Sequence, residues 1–134
     1  MAERGKIRNE EFARQLKDFS GLRWGSITPT DIDCFVEFGG RLFIIVEAKH
    51  KNAKLSTGQR LGLERLCDAI HDDKQGRQAV LFVVRHETAS DEQVNYAETM
   101  ILEYRFRRKW CTARNITSLK EGIDYFRGRC LKSL

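Results

Sequence analysis

A pair of glycines between two strand-like segments is the feature that most constrains the fold of this chain. Residues 31–38 alternate between polar and apolar side chains, which is the period of a half-buried strand. Residues 42–49 are largely apolar, as expected for a central strand covered on both faces. Gly39 and Gly40 accept positive φ angles freely and predict a two-residue turn. The sequence therefore predicts an antiparallel hairpin.

Four charged residues gather at one end of this predicted hairpin. A two-residue loop sets Asp33 opposite Val46, and a bulge would move this register by one residue. Asp31 then falls between Glu47 and Lys49, which are two positions apart and share one face of their strand. Charged side chains are rarely buried unless they are paired or bind something. This end of the hairpin is therefore the candidate site.

The residue types at this end suit metal-dependent chemistry on a phosphate. Asp33 and Glu47 supply the carboxylate oxygens that Mg²⁺ or Mn²⁺ prefers. Such an ion lowers the pKa of a bound water and neutralises charge on a phosphate under attack. The Lys49 ammonium can orient the nucleophile or stabilise the transition state. The alternative is a solvated salt-bridge cluster at a sheet edge, and the tight hairpin and the helix predicted after it favour the metal site.

The remaining pattern predicts an α/β fold in a single domain, residues 1–134. A first helix is expected to begin near Asn9 and to end at Gly21, and the hairpin follows it. The later elements are a helix over about 57–73, a strand over 79–84, a further strand within 100–110, and a last helix that begins near Thr117 or Ser118. This order predicts a mixed sheet with helices on its faces.

Composition bounds the partners and the compartment. The chain carries 24 Lys and Arg against 19 Asp and Glu, a net charge of +5, which fits a polyanionic partner such as nucleic acid. Apolar runs such as 42–46 and 79–84 are far shorter than the roughly 20 residues that span a bilayer. No secretory signal opens the chain, so a cytoplasmic protein is expected. The 4 cysteines are scattered without CxxC spacing and do not predict a zinc site.

Three motifs in order resemble the PD-(D/E)XK nuclease superfamily. They are Asp33 within Thr30-Asp-Ile-Asp33, the tripeptide Glu47-Ala48-Lys49, and Gly58-Gln59 at the start of the next helix. The resemblance implies a restriction-endonuclease-like core of order α-β-β-β-α-β. Small phage-type nucleases and archaeal-type Holliday junction resolvases are the subgroups nearest in size and layout.

The resemblance also implies roles for residues of the site. Asp33 and Glu47 would bind the metal, Lys49 would be catalytic, and Gln59 would face the active site from its helix. Many members place a metal-supporting glutamate on the first helix, and Glu11 is the candidate here.

The choice between the two aspartates stays open. In the family a proline directly precedes the motif aspartate, whereas Pro29 stands two residues before Asp31. The spacing to Glu47 suits a tight hairpin best from Asp33, so Asp33 is the preferred ligand and Asp31 the alternative or a helper.

Basic residues outside the motifs are candidates for binding the DNA backbone. Lys51 and Lys54 lie in the loop after the tripeptide, and a second group is interleaved with aromatic residues in 104–110. Phosphate contacts by such residues make affinity depend on salt. The second group comprises Arg105, Arg107, Arg108 and Lys109.

Together with the resemblance, these features predict a Mg²⁺- or Mn²⁺-dependent endonuclease acting on duplex or branched DNA. It is expected in the cytoplasm, as a bacterial protein or as a phage-encoded one in its host. A chain of 134 residues leaves little room for a sequence-reading domain, which favours structure-directed or non-specific cutting. A homodimer would suit the cutting of two strands, and a protein partner would be a further source of specificity. The alternatives are an exonuclease, a restriction-like nuclease, and a catalytically silent DNA-binding or interaction module with the same fold.

Overall fold

The computed structural model describes residues 18–113 and 117–131, which belong to two units, Met1–Asp31 and Ile32–Leu134. In the described part of the first unit, Trp24 and Ile27 form an isolated antiparallel bridge around Gly25. Most of the predicted first helix, and Glu11 with it, lies outside the described residues. The expectation of a single domain stays a prediction.

The second unit is built on a five-stranded mixed sheet in which spatial order follows chain order. Strands β2 and β3 are parallel, and every other neighbouring pair is antiparallel. The strands are β1 (Cys34–Phe38), β2 (Leu42–His50), β3 (Gln78–His86), β4 (Met100–Phe106) and β5 (Lys109–Thr112). The predicted class, a mixed α/β sheet flanked by helices, is confirmed.

Two α-helices cover opposite faces of this sheet. Helix α1 (Thr57–Ile70) is the crossover between β2 and β3. It packs Leu63 against Ile45 of β2 and against Ala79 and Leu81 of β3. Helix α2 (Leu119–Leu131) packs Phe126 against the even-numbered core residues. A 3₁₀-helix, Tyr96–Glu98, precedes β4. None of the helices within 18–113 and 117–131 is long and apolar enough to cross a membrane.

The hairpin forms as predicted, but its loop has three residues, so the pairing of β1 with β2 is shifted by one residue from the prediction. Phe38 pairs with Leu42, which leaves Arg41 in the loop with the glycines. The Arg41 N–H donates to the Phe38 carbonyl at 3.0 Å, while its own carbonyl accepts a bond from β3. The next position before β1 is Asp33, and continuing the register sets it opposite Glu47 rather than Val46.

The segment 100–110 holds two strands where the sequence predicted one. Strands β4 and β5 form a hairpin whose two-residue turn is Arg107-Arg108. Both arginines have positive φ, 51° and 63°, as a type I′ two-residue turn requires, and residues other than glycine, asparagine and aspartate seldom adopt such angles. The absence of a glycine hid this turn from the sequence pattern.

Of the predicted helix starts, those of α1 and α2 are confirmed, and the one near Asn9 lies outside the described residues. Helix α1 ends earlier than expected. Helix α1 begins at Thr57 and stops at Ile70, because His71 adopts an extended conformation. Before α2, the Ser118 hydroxyl accepts from the Glu121 N–H at 3.2 Å, and the Glu121 carboxylate accepts from the Ser118 N–H at 3.4 Å, a reciprocal capping box. The family order implies three strands before the crossover helix, whereas the described residues before α1 form two strands, β1 and β2.

Helix α2 offers a paired test of its packing. At Gly122 an added Cβ would overlap the Ile101 side chain and approach the Phe82 ring at 3.2 Å, whereas Gly128 has open space. We expect Gly122→Ala to lower the free energy of unfolding by about 1–2 kcal/mol, because overpacking outweighs the gain in helix propensity. Gly128→Ala should raise it by roughly 0.5–1 kcal/mol.

Urea denaturation followed by circular dichroism measures both variants against the parent protein. Equal stabilisation by the two substitutions would contradict the close packing of α2 on the sheet.

Candidate functional site

Three side chains meet near the end of β2, on the face that α1 covers. The Gln59 amide Nε2 donates to Glu47 Oε1 at 2.6 Å, and the Lys49 Nζ donates to Gln59 Oε1 at 3.2 Å. Lys49 Nζ also lies 3.2 Å from Glu47 Oε1. Each of the three groups contacts the other two. As predicted, Glu47 and Lys49 share one face of β2, and the start of the crossover helix brings Gln59 to that face.

The start of α1 holds Gln59 in this position. Ser56 is the N-cap, and its hydroxyl accepts from the Gln59 N–H at 3.2 Å. The preceding loop is tied to the sheet where Lys51, with a φ of 53°, donates its N–H to the His86 carbonyl at 2.9 Å. The loop and the cap together fix the first helical turn above the end of β2.

Asp33 is fastened beside Glu47 by the hairpin. Its Oδ2 accepts a hydrogen bond from the Ala48 N–H across the two strands, at 2.9 Å. Asp33 is exposed, whereas Glu47 is only 2% exposed. One carboxylate therefore faces solvent while its neighbour is enclosed beneath α1.

Glu47 is buried in a setting that penalises its charge. Burial is the largest cause that raises its pKa, to about 7, and the negative charge of Asp33 raises it further. The nearby Lys49 ammonium opposes this rise. The second oxygen, Oε2, is buried without a hydrogen-bond partner among the described residues. A proton or a cation at this carboxylate would relieve the cost of burying its charge.

The two neighbouring carboxylates and the unpartnered oxygen suit a divalent cation. Within the described ranges no group of three or more His, Cys, Asp or Glu side chains is placed to hold a metal ion. Mg²⁺ does not need one, because it usually binds one or two carboxylates and keeps waters or substrate phosphates as its other ligands. The donor set at Asp33 and Glu47 therefore fits Mg²⁺ or Mn²⁺.

The two other predicted metal residues stay predictions. Asp31 belongs to the Met1–Asp31 unit, and Glu11 lies outside the described residues. Of the two aspartates, Asp33 is the one whose hydrogen bond to β2 ties it to the Glu47 strand.

Among the predicted DNA-binding residues, Arg105 is already bound within the protein. Its side chain is 12% exposed and forms ion pairs with Glu64 at 3.0 Å and Asp68 at 2.7 Å, both on α1. Hydrogen bonding to Asp68 is the largest cause that raises the pKa of its guanidinium. Arg105 thus joins α1 to β4, and its charge is satisfied there.

The other predicted cations fall into two separate groups. Lys51 and Lys54 are exposed in the loop after β2, close in sequence to Lys49. The exposed residues Arg107, Arg108 and Lys109 lie at the β4–β5 turn. Because β4 runs antiparallel to β3, this turn lies at the opposite end of the sheet from the carboxylates. The structure does not bring the two basic groups together.

Sequence reasoning missed a second set of contacts beside the site. Arg60, which follows Gln59, pairs with Glu103 at 2.5 Å and lies 4.0 Å over the Trp110 ring. The Trp110 Nε1–H donates to Glu64 at 2.6 Å. These partners are more than forty residues apart in the chain, so no local pattern pairs them.

The chain matches no protein-family model, no curated protein and no solved structure. The resemblance to PD-(D/E)XK nucleases therefore depends on the motif residues themselves.

The raised pKa of Glu47 predicts a pH-dependent stability in metal-free buffer. Its folded-state pKa of about 7 exceeds the ordinary value of 4.5, so the folded protein binds this proton more tightly. That stabilisation is fully present below the unfolded pKa and is lost as the pH rises to about 7. We expect Glu47→Gln to reduce the fall in melting temperature between acidic and mildly alkaline pH.

Thermal melts of the parent, Glu47→Gln and the control Glu92→Gln, all with EDTA, measure this difference. Glu92 is exposed and its replacement should leave the pH dependence unchanged. If Glu47→Gln also keeps the parent dependence, Glu47 does not carry the shifted titration.

Proposed function

We propose that this protein is a metal-dependent nuclease that hydrolyses DNA phosphodiester bonds from a restriction-endonuclease-like core. One observation carries the proposal: buried Glu47 has an oxygen without a hydrogen-bond partner among residues 18–113 and 117–131, lies beside Asp33 and is bound to Lys49. A structural salt bridge alone would not call for a second carboxylate next to the first. The arrangement supports a site for a divalent cation with an ammonium group at its edge.

The chain's own residues would have distinct roles in this reaction. Asp33 and Glu47 would hold Mg²⁺ or Mn²⁺, which when bound would activate a water and neutralise charge on the phosphate. The Lys49 side chain is 19% exposed, so its ammonium can hold the attacking water or a phosphate oxygen. Gln59 is a positioning residue, because its amide contacts both Glu47 and Lys49.

The proposed DNA surface has a near part and a far part. Lys51 and Lys54 would hold the backbone beside the cleaved phosphate. The far part, Arg107, Arg108 and Lys109, would contact DNA beyond the site. Arg105 is omitted because two carboxylates already bind it. The predicted homodimer and specificity-giving partner stay predictions.

Cleavage assays test the proposal directly. Supercoiled, linear, single-stranded and four-way-junction DNA are incubated with Mg²⁺, Mn²⁺ or EDTA. We expect metal-dependent nicking of circles and an approximately 100-fold or greater loss of rate in Lys49→Ala, the scale of removing a charge-stabilising donor. Asp33→Asn and Glu47→Gln should be inactive and should lose Mg²⁺ binding in calorimetry.

Lys74→Ala is the matched control, since Lys74 is an exposed lysine in the turn after α1. Unchanged cleavage by Lys49→Ala would refute the site assignment. DNA binding without metal-dependent cutting of any substrate would instead support the catalytically silent module. Cutting confined to linear ends would point to an exonuclease.

The far basic group predicts a specific change in salt dependence. Replacing Arg107-Arg108 by Asn-Gly removes two charges and supplies the residues that such a turn prefers. We expect this double variant to keep its thermal stability and to reduce the slope of log affinity against log salt by roughly 2. DNA binding in EDTA at several salt concentrations measures the slope. An unchanged slope would remove this turn from the DNA surface.

A further inference from the structure

A cavity of about 400 Å³ adjoins Lys49 on the α1 side of the sheet. The β2–α1 loop and the first turn of α1 bound one side of it, and β3, β4 and β5 bound the other. Its apolar lining includes Leu55, Val83 and Leu102. Its polar lining includes Lys54, Arg60 and Glu103 in addition to Lys49.

The charges that line the cavity favour an anion. Three cations, Lys49, Lys54 and Arg60, line the cavity beside the Glu103 carboxylate. Lys49 also pairs with Glu47, whereas the Arg60 side chain stays 37% exposed despite its pairing with Glu103 and can add a phosphate contact. Arg60 is held in place by its pairing with Glu103 and by the Trp110 ring beneath it. A cation held on two sides loses little conformational freedom when it accepts a further phosphate contact.

The size and the apolar wall indicate more than a phosphate. The cavity volume is within the range of sites for small organic ligands, roughly 300–1,000 Å³. Leu55, Val83 and Leu102 offer an apolar surface for a flat base. The Glu103 carboxylate can accept from an exocyclic amino group, as acidic side chains do with cytosine.

We propose that this cavity binds one unpaired nucleotide of the DNA strand, next to the phosphate that is cleaved. This assignment rests on the proposed nuclease function and narrows its substrate class. A base pair with both of its backbones exceeds a cavity of about 400 Å³, so the nucleotide must enter unpaired. Single strands, flaps and branch points present such a nucleotide without the cost of breaking a pair.

The position of Trp110 under Arg60 provides a probe of the cavity that does not depend on cleavage. The chain has two tryptophans, and Trp24→Phe leaves Trp110 as the single reporter. Deoxycytidine 5′-monophosphate, deoxycytidine and inorganic phosphate are titrated against this variant in EDTA. We expect the nucleotide to change Trp110 fluorescence with a dissociation constant about ten-fold or more below those of the other two.

Filling the cavity is the matching test. Leu102→Phe in the same background should weaken nucleotide binding by about ten-fold or more, the effect of occupying a ligand's apolar space. Leu66→Phe is the control, because Leu66 is on α1 and does not line the cavity. Should Leu102→Phe fail to fold, Leu55→Phe fills the same space from the loop.

The outcomes separate this inference from the nuclease proposal. Metal-dependent cutting without nucleotide binding, or with phosphate bound as tightly as the nucleotide, overturns the cavity assignment alone. Nucleotide binding that Leu102→Phe abolishes, in a protein that cuts no DNA, supports the cavity assignment and refutes the nuclease function. Equal cutting of fully paired duplex and of flapped DNA would also overturn the inference.

Discussion

The parallel pairing of β2 with β3 is the constraint on which the rest of this unit depends. Two parallel neighbours cannot be joined by a tight turn, so the chain must cross the sheet between them, here through α1. The crossover begins where β2 ends, and the start of α1 therefore lies over the last residues of that strand. This connection places the first turn of α1 over the end of β2, and Gln59 therefore contacts Glu47 and Lys49.

The same placement of α1 buries the Glu47 carboxylate, and this burial is unfavourable in free energy. Enclosing Glu47 under α1 costs free energy, because water is removed from a carboxylate beside the like charge of Asp33. One hydrogen bond from Gln59 and the ammonium of Lys49 compensate only in part, and Oε2 stays unpartnered among the described residues. An apolar side chain would suit this position better for stability alone. A carboxylate there is easier to understand if a cation is bound in the working protein.

Local patterns predicted the parts of the fold that local physics determines. Glycine at 39 and 40 indicated the turn, and the Ser118–Glu121 spacing indicated the start of α2. The hairpin register differed by one residue because the Arg41 carbonyl is used by β3, a strand distant in sequence. Arg105 was predicted to bind DNA because charge patterns cannot distinguish an exposed arginine from one paired to carboxylates of another element.

The contacts that sequence could not supply are also those that align the site. Arg60 and Arg105 join α1 to the β4–β5 hairpin through Glu103, Glu64 and Asp68, at separations that no periodicity encodes. Partly buried charge pairs of this kind contribute modestly to net stability, and here they connect α1 to β4 at three carboxylates. Gln59 and Arg60 are adjacent on one helical turn, so the orientation that brings Arg60 to Glu103 also brings Gln59 to Glu47. The charged network and the carboxylate site are therefore two consequences of a single placement of α1.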